Sequence, residues 1–528
     1  MSTLKSNIAS GIVTGVGGFF LKVVSGLILL PIVIRELGAE SYGFYVFLFT
    51  IADILMALEM GITMGLIQRV SHYIGIGDEQ KKNEQIALGQ WLFLGIAILL
   101  LSCALAMGGP LGAWFIGFFK LNTAQQSLAP TILTLVFLDT AVNLYGCYYQ
   151  SLLKAHCLHR IINLHDTTQS ILFSLASITL LLLGYGLVEV FSARLAISML
   201  NNLGYAFHTV KHEPLCFSIR SISFDALRDL SSISFYSLIQ RTCALFSTQL
   251  DSLLIARFLT LLDVGVYGLV NRIFNYILMT CWKIIDTIFP VFTRFSAGES
   301  AERSRMLYTR ISAFICFAVS LMLVLTLGVF PEIIQILGSG EIDPQKAWIL
   351  ALVIFPGIWS SAIASVSGNY LFASGRPKQI TCLNLLNALM NFIISFFLVQ
   401  SIGFIGPAVA TTALNIVYHQ WITITLACKT LELSRWDFVK NVYIRNALPL
   451  MGAGACLLLG RYAYNYWQEP IILILAFTMA MLVAVLLWLL YSTTSLERDF
   501  LREKVGAKLK NFLEKRPFSG GKFFKKAL

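Results

Sequence analysis

Charge is what this sequence has least of. Asp, Glu, Lys and Arg make up 13% of its 528 residues, about half the share of roughly 25% in an ordinary soluble domain. That scarcity excludes a soluble enzyme, a disordered scaffold and a nucleic-acid binder, although the formal net charge is +11. The ten cysteines contain no Cys-x-x-Cys, so neither a zinc site nor a redox pair is signalled. His156, His159 and His165 are spaced loosely like metal ligands but have no carboxylate cluster beside them, and no metal is expected. No nucleophile–base pair and no Gly-rich phosphate loop stands out, which leaves catalysis without sequence support. Long polar loops are missing too. The longest outer one, near 109–127, has no room for a soluble domain, which speaks against a membrane glycan polymerase or ligase. No small-residue cleavage site closes the first apolar stretch, so it reads as a retained span.

What remains is apolar. Hydrophobic residues make up 57% of the chain and mean hydropathy is +0.75. The apolar residues fall in blocks long enough to cross a hydrocarbon core about 30 Å thick. They mark some fourteen spans between residues 8 and 492, with the fifth and sixth parted only at Gly184-Tyr185-Gly186. The fold class expected is an all-α polytopic membrane protein. An even span count puts both termini on one side. Outer loops carry little more than Arg35, Lys120 and Lys346, while Lys81, Lys82, Arg303, Arg305, Lys440 and the basic tail gather on the other side. Positive charge marks the cytoplasmic side, so both termini are expected there.

A repeat runs through the chain. RELGAESYGFY, from Arg35 to Tyr45, is echoed by RFLTLLDVGVY, from Arg257 to Tyr267, with Arg, Leu, Gly and Tyr at matching offsets. A second echo links Gly186-Leu187-Val188 with Gly403-Phe404-Ile405. Two six-helix copies of the same orientation follow, related by an axis along the membrane normal, with a substrate site between them. The expected organisation is an N-lobe over 1–209, an amphipathic cytoplasmic connector over 210–230 and a C-lobe over 231–430. Two further spans occupy 431–492. The tail over 493–528 is basic and amphipathic, suited to anionic lipids.

PIVIRELGAESYGFYVF (Pro31 to Phe47) and DSLLIARFLTLLDVGVYGLVNRIF (Asp251 to Phe274) resemble the paired signatures of the polysaccharide-transporter branch, the Wzx-type oligosaccharide-lipid flippases. That branch belongs to the multidrug/oligosaccharidyl-lipid/polysaccharide exporter superfamily. The resemblance implies a flippase that moves undecaprenyl-diphosphate-linked oligosaccharide, such as an O-antigen, capsule or exopolysaccharide unit, outward across a bacterial inner membrane. It implies other polysaccharide-assembly membrane proteins as neighbours. The alternative within the superfamily is a cation-coupled multidrug antiporter.

Charge inside a span is costly and marks a cavity or pathway. Lys22 lies about fourteen residues into span one, and Arg241 sits at matching depth in span seven. The two cations are expected to face each other across a central cavity, unless they are held in a static ion pair with Asp53, Asp139 or Asp251. Arg272 and Lys283, eleven residues apart, share one face of span eight and could form a ladder, with Asp286 within reach of Lys283. Arg194 joins them as a cavity cation nearer the outer face. Asp53 and Glu59 lie about 240° apart around their helix. Each, like Asp139 and Asp251, is either a seat for a coupling proton or sodium ion or a structural partner of a nearby cation. No cofactor is otherwise implied.

Cations suit a diphosphate, to which they give charge-assisted bonds. The sugar hydroxyls are the barrier: at about 0.5–2 kcal/mol each, ten of them resist burial by roughly 10 kcal/mol. A polar cavity removes most of that barrier while the lipid tail stays in the bilayer. An inside-negative potential would help move two negative charges outward by about 4–5 kcal/mol per 100 mV.

Overall fold

The computed structural model describes residues 2–119, 121–213, 224–298, 301–374 and 377–492. All regular structure among them is helical, because lipid offers backbone groups no partner and a helix satisfies them internally. The first lobe comprises α1 (Ser2–Leu37), α2 (Ala39–Met56), α3 (Met60–Ile76), α4 (Glu79–Met107), α5 (Pro110–Phe118), α6 (Thr123–Ala155), α7 (His159–Leu182) and α8 (Leu187–His212). The second runs through α9 (Phe224–Phe258), α10 (Leu261–Gly298), α11 (Ala301–Gly328), α12 (Phe330–Leu337), α13 (Pro344–Ala373), α14 (Pro377–Ile402), α15 (Ile405–Asn415) and α16 (Ile424–Thr430). The short α17 (Arg435–Phe438), then α18 (Arg445–Trp467) and α19 (Pro470–Leu487), complete the chain as described. The tail beyond Ser492 and most of the connector between the lobes lie outside the described residues.

Corresponding helices open within two residues of the 222-residue spacing between Arg35 and Arg257: Ala39 and Leu261, Glu79 and Ala301, Pro110 and Phe330, Thr123 and Pro344. The pairing extends to the short α5 and α12, too brief to span and so invisible to a search for spans. The stretch 109–127, read as an outer loop, therefore contains a helix. Phe115 and Phe119 at its end cluster on Phe47. Span two, read as continuous, is broken by a 3-10 turn at Ala57–Glu59. The turns before α8 and α15 each hold a glycine at positive φ, Gly184 at 83° and Gly403 at 74°, which other residues adopt only with strain. The counterpart of Gly403 in the structure is therefore Gly184 and not Gly186, which the second sequence echo had matched to it and which has φ −101°.

The repeat glycines meet. Gly43 on α2 and Gly265 on α10 lie where these helices cross, and a Cβ on Gly43 would collide with the Leu261 carbonyl. Small residues at a crossing let two backbones touch.

The chain divides into two compact units. One is Met1–Tyr308 with Val329–Glu432, and it holds both cavities described below; the other is Thr309–Gly328 with Leu433 onward. The sequence reading placed all of span nine in the C-lobe. Most of α11 packs instead with α18 and α19, where Phe317, Leu321 and Leu325 share a core with Ala453, Leu457, Ala480 and Ala484. Gly460 against Ala476 brings α18 and α19 together. Asn446 Nδ2 donates to the Ala313 carbonyl at 2.8 Å and fixes α18 to α11.

Candidate functional site: cations and amides inside the helices

Lys22 projects from α1 toward Asp166 on α7, with Nζ 3.8 Å from Oδ2 and side chains 36% and 35% exposed. Neither Asp53, Asp139 nor Asp251 is its partner. Tyr205 on α8 donates to the other oxygen of Asp166 and steadies the carboxylate. An ion pair this long and this open contributes only about 0–1 kcal/mol, so the Lys22 charge stays available to a ligand. Lys22 also feels the field of Lys283 on α10, whose side chain is exposed. Arg272, three turns earlier on α10, interacts with Tyr42, Tyr45, Tyr276 and Asp53. Gly26 lets α1 approach the Tyr276 hydroxyl. α1 and α10 thus bring Lys22 and Lys283 within each other's field, while Arg272 stands further along the same face of α10, beside Asp53. Arg241 lies on α9, and its side chain is outside the described residues, as is that of Asp286.

Arg194 has a different fate. Its Nε donates to Asp139 Oδ2 at 2.7 Å, and Asp139 is 2% exposed. The guanidinium also lies over Phe49 at 4.3 Å and Phe173 at 5.6 Å. Arg194 lines a cavity, as expected, but its charge there is paired with Asp139, because a buried carboxylate must be paired. Removing one partner strands the other. Arg194→Leu should therefore lower stability by about 3–5 kcal/mol, and Arg194→Leu with Asp139→Leu should recover most of it. Thermal unfolding of the three purified proteins checks this.

Asp53 opens into an N-lobe cavity of about 300 Å³, which it shares with Asn143, Gln150, Gln169 and the Arg194–Asp139 pair. It accepts a hydrogen bond of 3.0 Å from Gln249 Nε2 on α9 and feels both Arg194 and Arg272. Glu59 is buried and accepts from the Thr63 hydroxyl. The two acids of span two therefore face different surroundings, as their spacing requires.

Asp251 stands apart, on α9 and 2% exposed. Its Oδ2 accepts from Tyr267 Oη at 2.6 Å and from Thr411 Oγ1 at 2.9 Å, and its Oδ1 faces Ser395 Oγ at 3.4 Å. The Asn391 side-chain oxygen lies 3.2 Å from the same Thr411 hydroxyl and 3.0 Å from that of Ser395, so it competes with the carboxylate for the single proton of each. Every donor and acceptor around the carboxylate is an oxygen, the set that hard cations prefer. Two of the three histidines bond within the protein: His156 Nε2 meets Glu213 at 2.8 Å, Glu213 also pairs with Lys82 at 2.7 Å, and His165 meets Asn201 at 3.2 Å.

Charge alone did not reveal Asp166, Gln249 or the amide-lined C-lobe cavity beside Asp251. A polar stripe on span five, Asn163, Asp166, Thr167 and Ser170, carries the signal for the first.

Comparison with known proteins agrees with this architecture. One curated relative is the "Probable low-salt glycan biosynthesis flippase Agl15" of Haloferax volcanii, 26% identical over 207 residues, 38% of this chain and 43% of that protein's length. Among solved structures, the lipid II flippase MurJ in an inward closed conformation superposes with a TM-score of 0.70 at 12% identity, over 92% of this chain and 98% of its own. An inward-facing multidrug resistance MATE family transporter of the MOP superfamily gives 0.67 at 14% identity, over 80% and 99%. The family model described as polysaccharide biosynthesis protein matches residues 8–296, more than half of the sequence. This chain belongs to the polysaccharide biosynthesis protein family.

Proposed function

We propose that this protein is a flippase that moves a diphosphate-linked, lipid-anchored oligosaccharide from the cytoplasmic to the outer leaflet of a bacterial cytoplasmic membrane by alternating access. One observation carries the reading: α1 and α10 bring Lys22 and Lys283 within each other's field inside an apolar fold, with Arg272 on the same face of α10, and Lys22 has only a weak internal competitor. An anionic headgroup uses those charges; an organic cation would be repelled by them. With the termini cytoplasmic, the Gly43–Gly265 crossing closes the outer end and the cations meet substrate from inside. The lobes then rock about that crossing, the headgroup leaves outward, and the lipid tail remains in the bilayer throughout.

Asp251 is our seat for the coupling ion, sodium or proton. Its hydroxyl partners release or reorder when a cation binds, and they reach from α9 to α14 and α15. With an ion gradient imposed on vesicles, wild-type translocation should be faster than without it. Asp251→Asn should lose that stimulation while still equilibrating substrate slowly.

Reconstitution tests the function itself. Vesicles holding the purified protein and a fluorescent polyprenyl-diphosphate sugar should carry the sugar to the opposite leaflet, and an organic cation dye should not be moved. Transport of the dye without the sugar would establish the antiporter reading and shift attention to Asp53.

A further inference from the structure

The helix α10 has two polar faces. Arg272, Tyr276 and Lys283 form the cationic one. Asn271, Asn275, Leu278 and Trp282, at positions i, i+4, i+7 and i+11, form another, and these four line a separate C-lobe cavity of about 270 Å³. Asn384 and Asn387 of α14, Asn415, Tyr418 and His419 line the same cavity. The last two sit on a π-helical segment over Ile416–Thr423, a distortion found mostly at functional sites.

Asp251, with Tyr267 and Thr411, stands at the wall of the same cavity; the rest of the lining is uncharged, rich in side-chain amides, and includes a tryptophan that remains 41% exposed. An amide offers both donors and an acceptor, which matches a sugar hydroxyl that donates and accepts. A tryptophan face suits the C–H face of a pyranose ring. Two buried atoms, Asn387 Oδ1 and His419 Nδ1, have no hydrogen-bond partner among the described residues, and leaving such atoms unmet is costly. At about 30 Å³ per water, the cavity has room for one sugar ring and not for a chain of them.

We infer that this cavity is a monosaccharide subsite, which takes the sugar next to the diphosphate while the cationic face of α10 holds the diphosphate itself. The inference rests on the flippase reading. It adds that the protein reads the first sugar. The two faces are neighbours around one helix, about 100° apart, because Arg272 follows Asn271 and Lys283 follows Trp282, so a sugar and the diphosphate bonded to it can lie side by side along α10.

Saturation-transfer NMR on the full-length purified protein tests the assignment, with free N-acetylhexosamines, hexoses and 6-deoxyhexoses as one set of probes and methyl diphosphate as another. At least one sugar class should bind wild type. Asn387→Leu and Trp282→Ala should each weaken that binding about tenfold or more and leave methyl diphosphate binding unchanged, which also reports that the variants are folded. Lys22→Ala should do the reverse. Absence of any sugar signal, or sugar binding unaltered in both pocket variants, would overturn the subsite. Loss of methyl diphosphate binding alone, in the wild type, would overturn the cation reading and leave the sugar pocket standing.

Discussion

Gly43→Val should open the seal between the lobes. The added side chain meets the Leu261 backbone carbonyl, and backbone does not step aside as a flexible side chain would. Overpacking of this kind costs about 1–3 kcal/mol. The cost falls on the state in which α2 and α10 touch, so the balance between that state and one in which they part should shift by roughly 5- to 150-fold. Spin labels at Glu40 and Leu262, both exposed near the crossing, would report a longer distance in the variant. Gly265→Val should act in the same direction, since a Cβ there lies 3.1 Å from the Ala39 carbonyl and 3.2 Å from Gly43 Cα. An unchanged distance distribution in both variants would remove the crossing from the mechanism.

The second large effect belongs to Lys22. A hydrogen bond to a charged group contributes about 1.5–3 kcal/mol, so Lys22→Ala should slow flipping by about tenfold to a hundredfold with protein abundance unchanged. Lys283→Ala should act similarly, because both cations face the same headgroup. Asp166→Asn is the informative companion. It releases Lys22 from its competitor, so flipping should persist, with tighter binding of methyl diphosphate. Were Lys22 a structural ion pair instead, Asp166→Asn and Lys22→Ala would be equally damaging. Arg194 provides the contrast within the same molecule: there the pair is short, the carboxylate is buried, and the loss should appear as instability.

The sequence announces some of this plainly. Lys22, Arg272 and Lys283 interrupt apolar blocks, and charge in such a place is rare enough to be read as function. The matched Gly43 and Gly265 reveal the repeat, though not that the two glycines touch; contact requires knowing how the lobes face each other. Asp166 escapes because its link to Lys22 depends on α1 lying beside α7, two helices far apart in the chain. The C-lobe cavity escapes for another reason. Asparagine carries no charge, so Asn271, Asn275, Asn384 and Asn387 disturb hydropathy without standing out. Their i, i+4 spacing on α10 is nevertheless legible once amides are sought along with ions. The place of α11 beside α18 and α19 is the least readable feature. Lipid gives helices no hydrophobic reason to choose neighbours, and the choice rests on small residues such as Ala453, Ala480 and Ala484.

The central claim is that the chain carries lipid-linked glycan from one leaflet to the other. The most direct measurement is the sidedness of lipid-linked oligosaccharide in cells with and without the protein, read with an enzyme or lectin that reaches only the outer leaflet. Translocation requires that removal leave the oligosaccharide in the inner leaflet, with surface polysaccharide lost and with both restored by wild type but not by Lys22→Ala. Unchanged sidedness on removal, together with altered sensitivity to cationic drugs, would contradict the claim.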